Sequence, residues 1–483
     1  MKISIVYRVL SLISFIVSIL MLLPLGFALY DRTADYMAFI GSMFIGFLTS
    51  LFFYILSLGE SDYKEIGIKE AFAVVGFSWI IASAVGALPY ILSGILPNYT
   101  DAFFEAMSGF STTAASVISD IESCPRGIVF WRSLTLWLGG MGIIILGLAI
   151  LPFFGVGGME LFKAEVPGPT HEKLTPRVHQ TALLLWGVYV SLTVLEMILL
   201  VVGGMSIFDA VIHSFGTMAT GGFSSKNNSI SWFESVYIDW IITIFSFIAG
   251  ASFVLHYKVI TGGCRGYLKD DEFCFYAGVI ILCTVVTTMV LRFGGWYESI
   301  YEALHFGAFQ VVSKITTTGY NTAKYETWPY SIQFTLLMLM FFGGCACSTS
   351  GGLKNLRVLI LFRAIRAEFI KILHPNSITH IHINNKLVSR EAVSSVMVFI
   401  MVFISILVTG VLLMTFIGVG IMTSFLCVIT TLCNTGTGMQ LAGYENYAWL
   451  PDSAKWLLSF FMLAGRLELY AILMLFLPTT WKK

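Results

Sequence analysis

The chain has 483 residues, 57% hydrophobic and only 12% charged, with mean hydropathy +0.84 and 28 Lys and Arg balanced by 28 Asp and Glu. That composition excludes an ordinary soluble domain and describes a polytopic membrane protein. The eight cysteines show no metal-ligand spacing, and Cys345-Ala346-Cys347 is too tight for a zinc knuckle, so they read as small apolar fillers.

Stretches long enough to cross a bilayer, roughly 20 apolar residues each, fall at about 4–30, 37–58, 70–96, 128–155, 180–205, 235–257, 272–292, 331–364, 391–416 and 452–480. The first lacks a small-residue cleavage site and its apolar core is too long for a secretory signal, so it is expected to stay as a membrane helix. Residues 1–69 therefore read as an accessory transmembrane hairpin.

From residue 70 onward one succession recurs four times: a long apolar segment, a short amphipathic stretch, a knot of Thr, Ser, Asn and Gly, and a second long apolar segment. The short stretches run from Asp101 to Phe110, Phe208 to Thr217, Ser299 to Ser313 and Met422 to Leu432. At 1.5 Å per residue none can span a bilayer, and irregular backbone at membrane depth survives only inside protein or along a wet cavity. The fold class expected is all-α integral membrane, with fourfold pseudosymmetric helix–pore loop–helix repeats at 70–155, 180–262, 272–364 and 391–483 after the N-terminal hairpin.

A gapless alignment on Ala114, Gly222, Gly319 and Gly436 also brings Phe104, Ile212, Phe309 and Leu426 into register, together with the small residues Ser108, Gly216, Ser313 and Thr430. A dehydrated alkali cation needs several oxygen ligands, which converging main-chain carbonyls supply without fixed charge. Gly permits the positive φ angles that aim them. The candidate filter residues are Thr112, Thr113, Ala114, Thr220, Gly221, Gly222, Thr317, Thr318, Gly319, Asn434, Thr435 and Gly436, with K+ as permeant ion and no organic cofactor. The plainer alternative is a set of interhelical turns in a generic transporter, with Gly and Thr serving helix packing.

Most Lys and Arg lie on one side of the spans, so the positive-inside rule puts both termini in the cytoplasm and brings the knots in from the outer face. The connections at about 156–179, 258–271 and 365–390 are then cytoplasmic docking surfaces.

Asp101-Ala102-Phe103-Phe104-Glu105, Gly139-Gly140-Met141-Gly142, Glu165-Val166-Pro167-Gly168-Pro169, Thr220-Gly221-Gly222-Phe223-Ser224, Gly343-Gly344-Cys345 and Gly465-Arg466-Leu467-Glu468 sit where one family carries similar strings. Over essentially its whole length the chain resembles the TrkH type of membrane subunit in the Trk/Ktr/HKT superfamily of potassium transporters. The resemblance implies a homodimer in the bacterial cytoplasmic (inner) membrane, one pore per protomer, gated by a cytosolic TrkA-type nucleotide-binding regulatory ring. No nucleic-acid partner and no enzymatic activity are expected.

Below the filter two features read as gates. Ser348, Thr349, Ser350, Gly351 and Gly352, with Gly343 and Gly344 before them, interrupt the 331–364 span with residues that favour a break. The resemblance places such a loop beneath the filter as a movable barrier; a static bend is the alternative. Arg466 lies inside the last span, where a charge costs at least about 2.5 kcal/mol unless compensated. By resemblance it obstructs the permeation path, and the alternative is a structural pair with Glu468 or another carboxylate.

Lys314 stands where the resemblance leads to an apolar residue, and is expected to snorkel behind the filter. Asp101 and Asp209 read as caps of their half-helices. His380-Ile381-His382 reads as a solvated loop. The resemblance puts Gly at the position of Ala114, and plant relatives with Ser there are associated with sodium permeation. Ala disfavours left-handed backbone by roughly 1 kcal/mol, so a pore less selective for potassium over sodium is expected, unless three intact loops suffice.

Two rivals remain open on sequence. A potassium–proton or potassium–sodium coupled transporter would need a buried carboxylate near the filter, and none is compelling in the sequence. A membrane enzyme would need a catalytic cluster, and His213, His256 and His305 form no recognisable motif.

Overall fold

The computed structural model describes residues 3–59, 67–142, 178–263, 265–377 and 379–481. The Glu165–Pro169 string, most of the 156–179 connection and the second half of the expected 128–155 span lie outside them. The regular structure of the described chain is α-helical apart from short 3₁₀ turns and one two-stranded antiparallel hairpin, His382–Ile383 with Lys386–Leu387.

Among the described residues six helical stretches are long and apolar enough to cross a membrane: Ile3–Asp31, Tyr36–Leu56, Lys69–Leu92, Ala182–Val202, Asp271–Phe293 and Arg390–Phe416. The first two form the N-terminal hairpin. Their seam is built from small residues at four-residue intervals, with the Ser50 hydroxyl donating to the Ser11 carbonyl at 2.8 Å and Gly46 closing on Ser18. Such seams let helix backbones approach closely where water supplies no drive for association. Large apolar side chains such as Phe44, Leu51, Phe52 and Ile55 stay on the outer surface, as a lipid-facing helix requires.

The four short helices are Tyr99–Phe110, Ile207–Met218, Ile300–Ile315 and Ile421–Leu432. Side chains cap the first three: Asn98 accepts from the Thr100 amide, Ser206 from Asp209 and Ser299 from Tyr301. The expected caps are therefore corrected. Asp101 instead faces Lys455 at 2.6 Å, and Asp209 accepts from the hydroxyls of Ser206 and Ser225.

A second correction concerns the helix after each knot. The helices Arg126–Gly140, Val236–Ala249, Tyr330–Phe342 and Asp452–Arg466 hold only 15, 14, 13 and 15 residues. The 235–257 stretch is bent by 95° between Val236–Ala249 and Phe253–Gly262, and the 452–480 stretch by 120° between Asp452–Arg466 and Tyr470–Phe476. Both read as continuous spans on composition alone. Neither break has the polar signature of the 343–354 loop: one falls at Gly250-Ala251-Ser252, the other at Leu467-Glu468-Leu469, where Glu468 and Leu469 take φ of 50° and 61°.

Candidate functional site

Each short helix ends in a turn with the same backbone. The first knot residue has positive φ (Thr112 57°, Thr220 50°, Thr317 58°, Asn434 52°), and so does the third (Ala114 57°, Gly222 85°, Gly319 81°, Gly436 65°). The amide of that third residue folds back on its own helix. Ala114 donates to the Ser108 carbonyl at 3.3 Å, Gly222 to Gly216 at 3.3 Å, Gly319 to Ser313 at 3.2 Å and Gly436 to Thr430 at 3.4 Å. The four small residues that fall into register in the sequence are thus the acceptors that shape the turns. The N–H groups of these third residues are thereby drawn to the helix side, and φ changes sign from residue to residue along each turn.

The turns meet in a directed ring. A Cβ at Gly222 would overlap the Thr318 carbonyl oxygen, one at Gly319 would lie 2.5 Å from the Thr435 oxygen, and one at Gly436 would overlap the Thr113 oxygen. Second meets third, third meets fourth, and fourth meets first. On the remaining side Ala114 has its methyl packed with Leu136, Ala219 and Phe223, next to the second knot.

Buried polar groups brace the ring from behind. Arg132 Nε meets Glu105 Oε1 at 2.6 Å, Arg132 Nη1 donates to the Ser224 carbonyl at 3.3 Å, and its guanidinium lies 3.4 Å from the centre of the Phe223 ring. Glu105 also accepts from the Val117 amide at 2.9 Å within the first repeat, so the bond from Arg132 to Ser224 is the one that ties the first repeat to the second. Tyr320 donates to the Phe223 carbonyl at 2.9 Å, and Tyr447 to the Gly436 carbonyl at 3.1 Å. Lys314 does not snorkel to an interface. It is fully buried, with Nζ 3.0 Å from Thr437 Oγ1 and 4.4 Å from the Tyr325 ring centre, beside the seam of the third and fourth knots.

Sequence reasoning assigned no role to Glu105, Arg132, Tyr320 or Tyr447. The signal for the first two was a charge inside an apolar segment, which costs too much to stand unpaired. Glu196 carries the same signal: it is fully buried in Val178–Val202, with the Thr217 side chain beside its carboxylate.

Residues 343–354 form an irregular loop directly against the knots. The Gly351 amide donates to Thr317 Oγ1 at 2.8 Å, and the Thr220 hydroxyl to that of Thr349 at 3.3 Å. Gly343 has φ 69°, and its missing side chain admits the Gly351 carbonyl, which closes the loop on itself. Ser350 takes the Gly344 amide at 3.0 Å and pairs with Ser348 at 2.6 Å, while Gly352 turns with φ 77°.

Arg466, at the end of Asp452–Arg466, joins loop and knot. Its Nη1 donates to the Thr349 carbonyl at 2.7 Å and to Thr112 Oγ1 at 3.2 Å, and its Nη2 to the carbonyls of Gly139 and Gly140 at 2.5 and 2.6 Å. The guanidinium fork thus caps the C-terminal carbonyls of Arg126–Gly140, where a cation is favoured. Glu468 pairs with Arg357. In the strings at 139–142 and 465–468 glycine is needed for close packing at two positions, since Gly139 closes on the Phe110 carbonyl and Gly465 on that of Leu432.

Asn434 bridges the fourth knot to the first, donating to Thr113 Oγ1 at 2.9 Å and to the Met462 carbonyl at 2.8 Å. Gly221 lies against Leu136, and the hydroxyls of Thr316 and Thr318 are 2.8 Å apart. Thr435 has a buried hydroxyl without a partner. The structure therefore brings together all twelve candidate filter residues, with Gly343, Gly344, Ser348, Thr349, Ser350, Gly351, Gly352 and Arg466 on one side of them. Among the described residues no three His, Cys, Asp or Glu side chains gather as a metal site.

Long apolar helices enclosing four short buried ones, with positive-φ turns meeting at one place, define a multi-pass helical membrane protein of re-entrant architecture. The family model TrkH, a cation transport protein, matches residues 40–483. The chain belongs to the TrkH family, and is a transporter and not an enzyme. It is 38% identical over 487 residues to the Trk system potassium uptake protein TrkH of Salmonella typhimurium, covering 99% of each chain. It is 39% identical over 446 residues to the protein of the same name from Escherichia coli K12, covering 90% of this chain and 92% of that one. The crystal structure of the potassium transporter TrkH from Vibrio parahaemolyticus superposes with a TM-score of 0.89 at 33% identity, over 100% of both chains.

Proposed function

We propose that the chain takes up potassium across the bacterial cytoplasmic membrane through a channel-like pore, with K+ liganded by the carbonyls of 112–114, 220–222, 317–319 and 434–436. The observation that carries this reading is the ring of contacts in which Gly222, Gly319 and Gly436 each seat against a carbonyl of another knot. Oxygen-rich backbone without fixed charge suits a dehydrated monovalent cation, and the names of the relatives agree with potassium.

The 343–354 loop and Arg466 act as the gate in this reading, because they occupy the space against Thr112, Thr220 and Thr317. Both termini are cytoplasmic, the protein is a homodimer, and a cytosolic TrkA-type nucleotide-binding ring sets the gate; these three points rest on charge distribution and family resemblance. Each of the five segments at 1–69, 70–155, 180–262, 272–364 and 391–483 is a structural unit, the last four contributing one quarter of the pore.

Reversal-potential recording from purified protein in bilayers tests the reading. A potential that follows the potassium gradient alone supports a channel, and one that shifts with pH or sodium supports coupled transport.

Glu196 gives the coupled reading a specific observation: a buried carboxylate in the helix that precedes the second knot. A channel keeps its potassium flux and flat pH profile in Glu196→Gln. Loss of a proton-dependent component in that variant favours coupling.

A further inference from the structure

The helix Asp271–Phe293 starts at a junction between the 343–354 loop and the only strand pair among the described residues. Glu272, buried at its first turn, accepts on Oε1 from the amide of Ala346 at 2.6 Å and from that of Leu356 at 3.1 Å. One carboxylate oxygen thereby pins the loop near its beginning and just past its end.

The two residues before Glu272 face the other way. Asp270 and Asp271 hold Asn384, the first turn residue of the hairpin His382–Ile383 and Lys386–Leu387. The Asp271 amide donates to Asn384 Oδ1 at 2.7 Å, the Asn384 amide to Asp271 Oδ2 at 3.0 Å, and Asn384 Nδ2 to Asp270 Oδ2 at 2.9 Å. Asn384 and Asn385 take φ of 50° and 60°, the double left-handed turn that fixes a tight two-residue hairpin. Arg363 adds a strut, bonded to Asp271 Oδ2 at 2.8 Å and to the His382 carbonyl. Between hairpin and loop lies a cavity of about 460 Å³, walled by Glu272, Cys345, Ala346, Ile383, Lys386 and Val388.

We propose that Glu272 is the latch of the 343–354 loop and that the 382–387 hairpin is the handle that works it. A partner pulling on the hairpin tilts the first turn of Asp271–Phe293 through Asn384, Glu272 withdraws from Ala346 and Leu356, and the freed loop moves into the adjacent cavity. The hairpin sits at the start of Asp271–Phe293, the opposite end of that 23-residue helix from the short helix Ile300–Ile315, which in the orientation proposed above is the cytosolic end. This proposal rests on the reading that the loop closes the pore. Glu272 and Asn384 are positioning residues and touch no ion.

The test uses the full-length chain in proteoliposomes, with rubidium flux and hydrogen exchange of the peptide spanning 345–356 as readouts. Glu272→Ala should raise basal flux about tenfold and speed exchange at Ala346 and Leu356. Asn384→Ala, at the exposed hairpin and outside the packed helices, should move both readouts in the same direction by a few-fold. Glu272→Gln, which keeps an acceptor oxygen in place, should recover most of the wild-type closure. A variant lacking residues 348–350 provides the reference for an unobstructed pore. If it leaks while Glu272→Ala and Asn384→Ala leave flux and exchange at wild-type levels, the latch is overturned. If it fails to leak, the gate reading falls instead, and faster exchange in Glu272→Ala would then mark a clamp on a loop that gates nothing.

Discussion

The Arg132 guanidinium and the Glu105 carboxylate meet at 2.6 Å with 3% and 0% of their side chains exposed, behind the first two knots. Breaking such a pair strands a charge in a medium that cannot solvate it, at a cost of about 3–5 kcal/mol. Arg132→Met and Glu105→Met should each lower thermal stability of the purified protein by that order. The double variant should recover part of the loss, because no lone charge remains. Thermal melts of the four proteins check the cycle, and strictly additive losses would contradict coupling.

Gly222, Gly319 and Gly436 combine a positive φ with a neighbouring carbonyl in the space a Cβ would fill. Alanine at any of them should cut potassium flux by more than about tenfold, since both the turn and its neighbour must move. Gly436→Ala is the most informative, because the oxygen displaced belongs to Thr113 of the first knot. Flux assays with protein yield as a control separate loss of conduction from loss of folding.

Ala114 already holds φ 57° with its methyl lodged among Leu136, Ala219 and Phe223. Ala114→Gly relieves roughly 1 kcal/mol of left-handed strain and empties that packing site. The potassium-to-sodium permeability ratio should rise in the variant. Equal ratios in bi-ionic recordings would mean that the other three turns set selectivity by themselves.

Arg466 uses two nitrogens on four acceptors from three segments, a geometry that a single ammonium cannot reproduce. Arg466→Lys should therefore behave more like Arg466→Ala than like wild type. Both should raise basal flux several-fold by releasing Thr349. A lysine variant indistinguishable from wild type would show that charge alone, and not the fork, holds the loop.

The short helices were legible to within two residues at every end, because each carries an amphipathic run closed by a knot of helix-breaking residues. The shared acceptors Ser108, Gly216, Ser313 and Thr430 were visible as a column of small residues, though not their purpose. The bends after Ala249 and Arg466 were hidden, since Gly250-Ala251-Ser252 is small and apolar enough to continue a helix and the charges of Arg466 and Glu468 read as an ion pair inside a span of sufficient length. Pairings across repeats were hidden for a different reason. Glu105 stands out in an apolar helix, but nothing near it in sequence points to Arg132, and Glu468 lies two residues from Arg466 while its partner is Arg357. Lys314, expected to snorkel behind the filter, is instead fully buried, because Thr437, 123 positions away, supplies a partner that makes burial tolerable.

In all four turns the amide of the third residue is satisfied within its own short helix. Each turn can therefore take its shape before it meets another, and the pore is closed by docking four preformed corners. A fault in one corner then changes how that corner fits its neighbour while the other three still present their oxygens, which is how a lineage could try a methyl at Ala114 without first dismantling the ring.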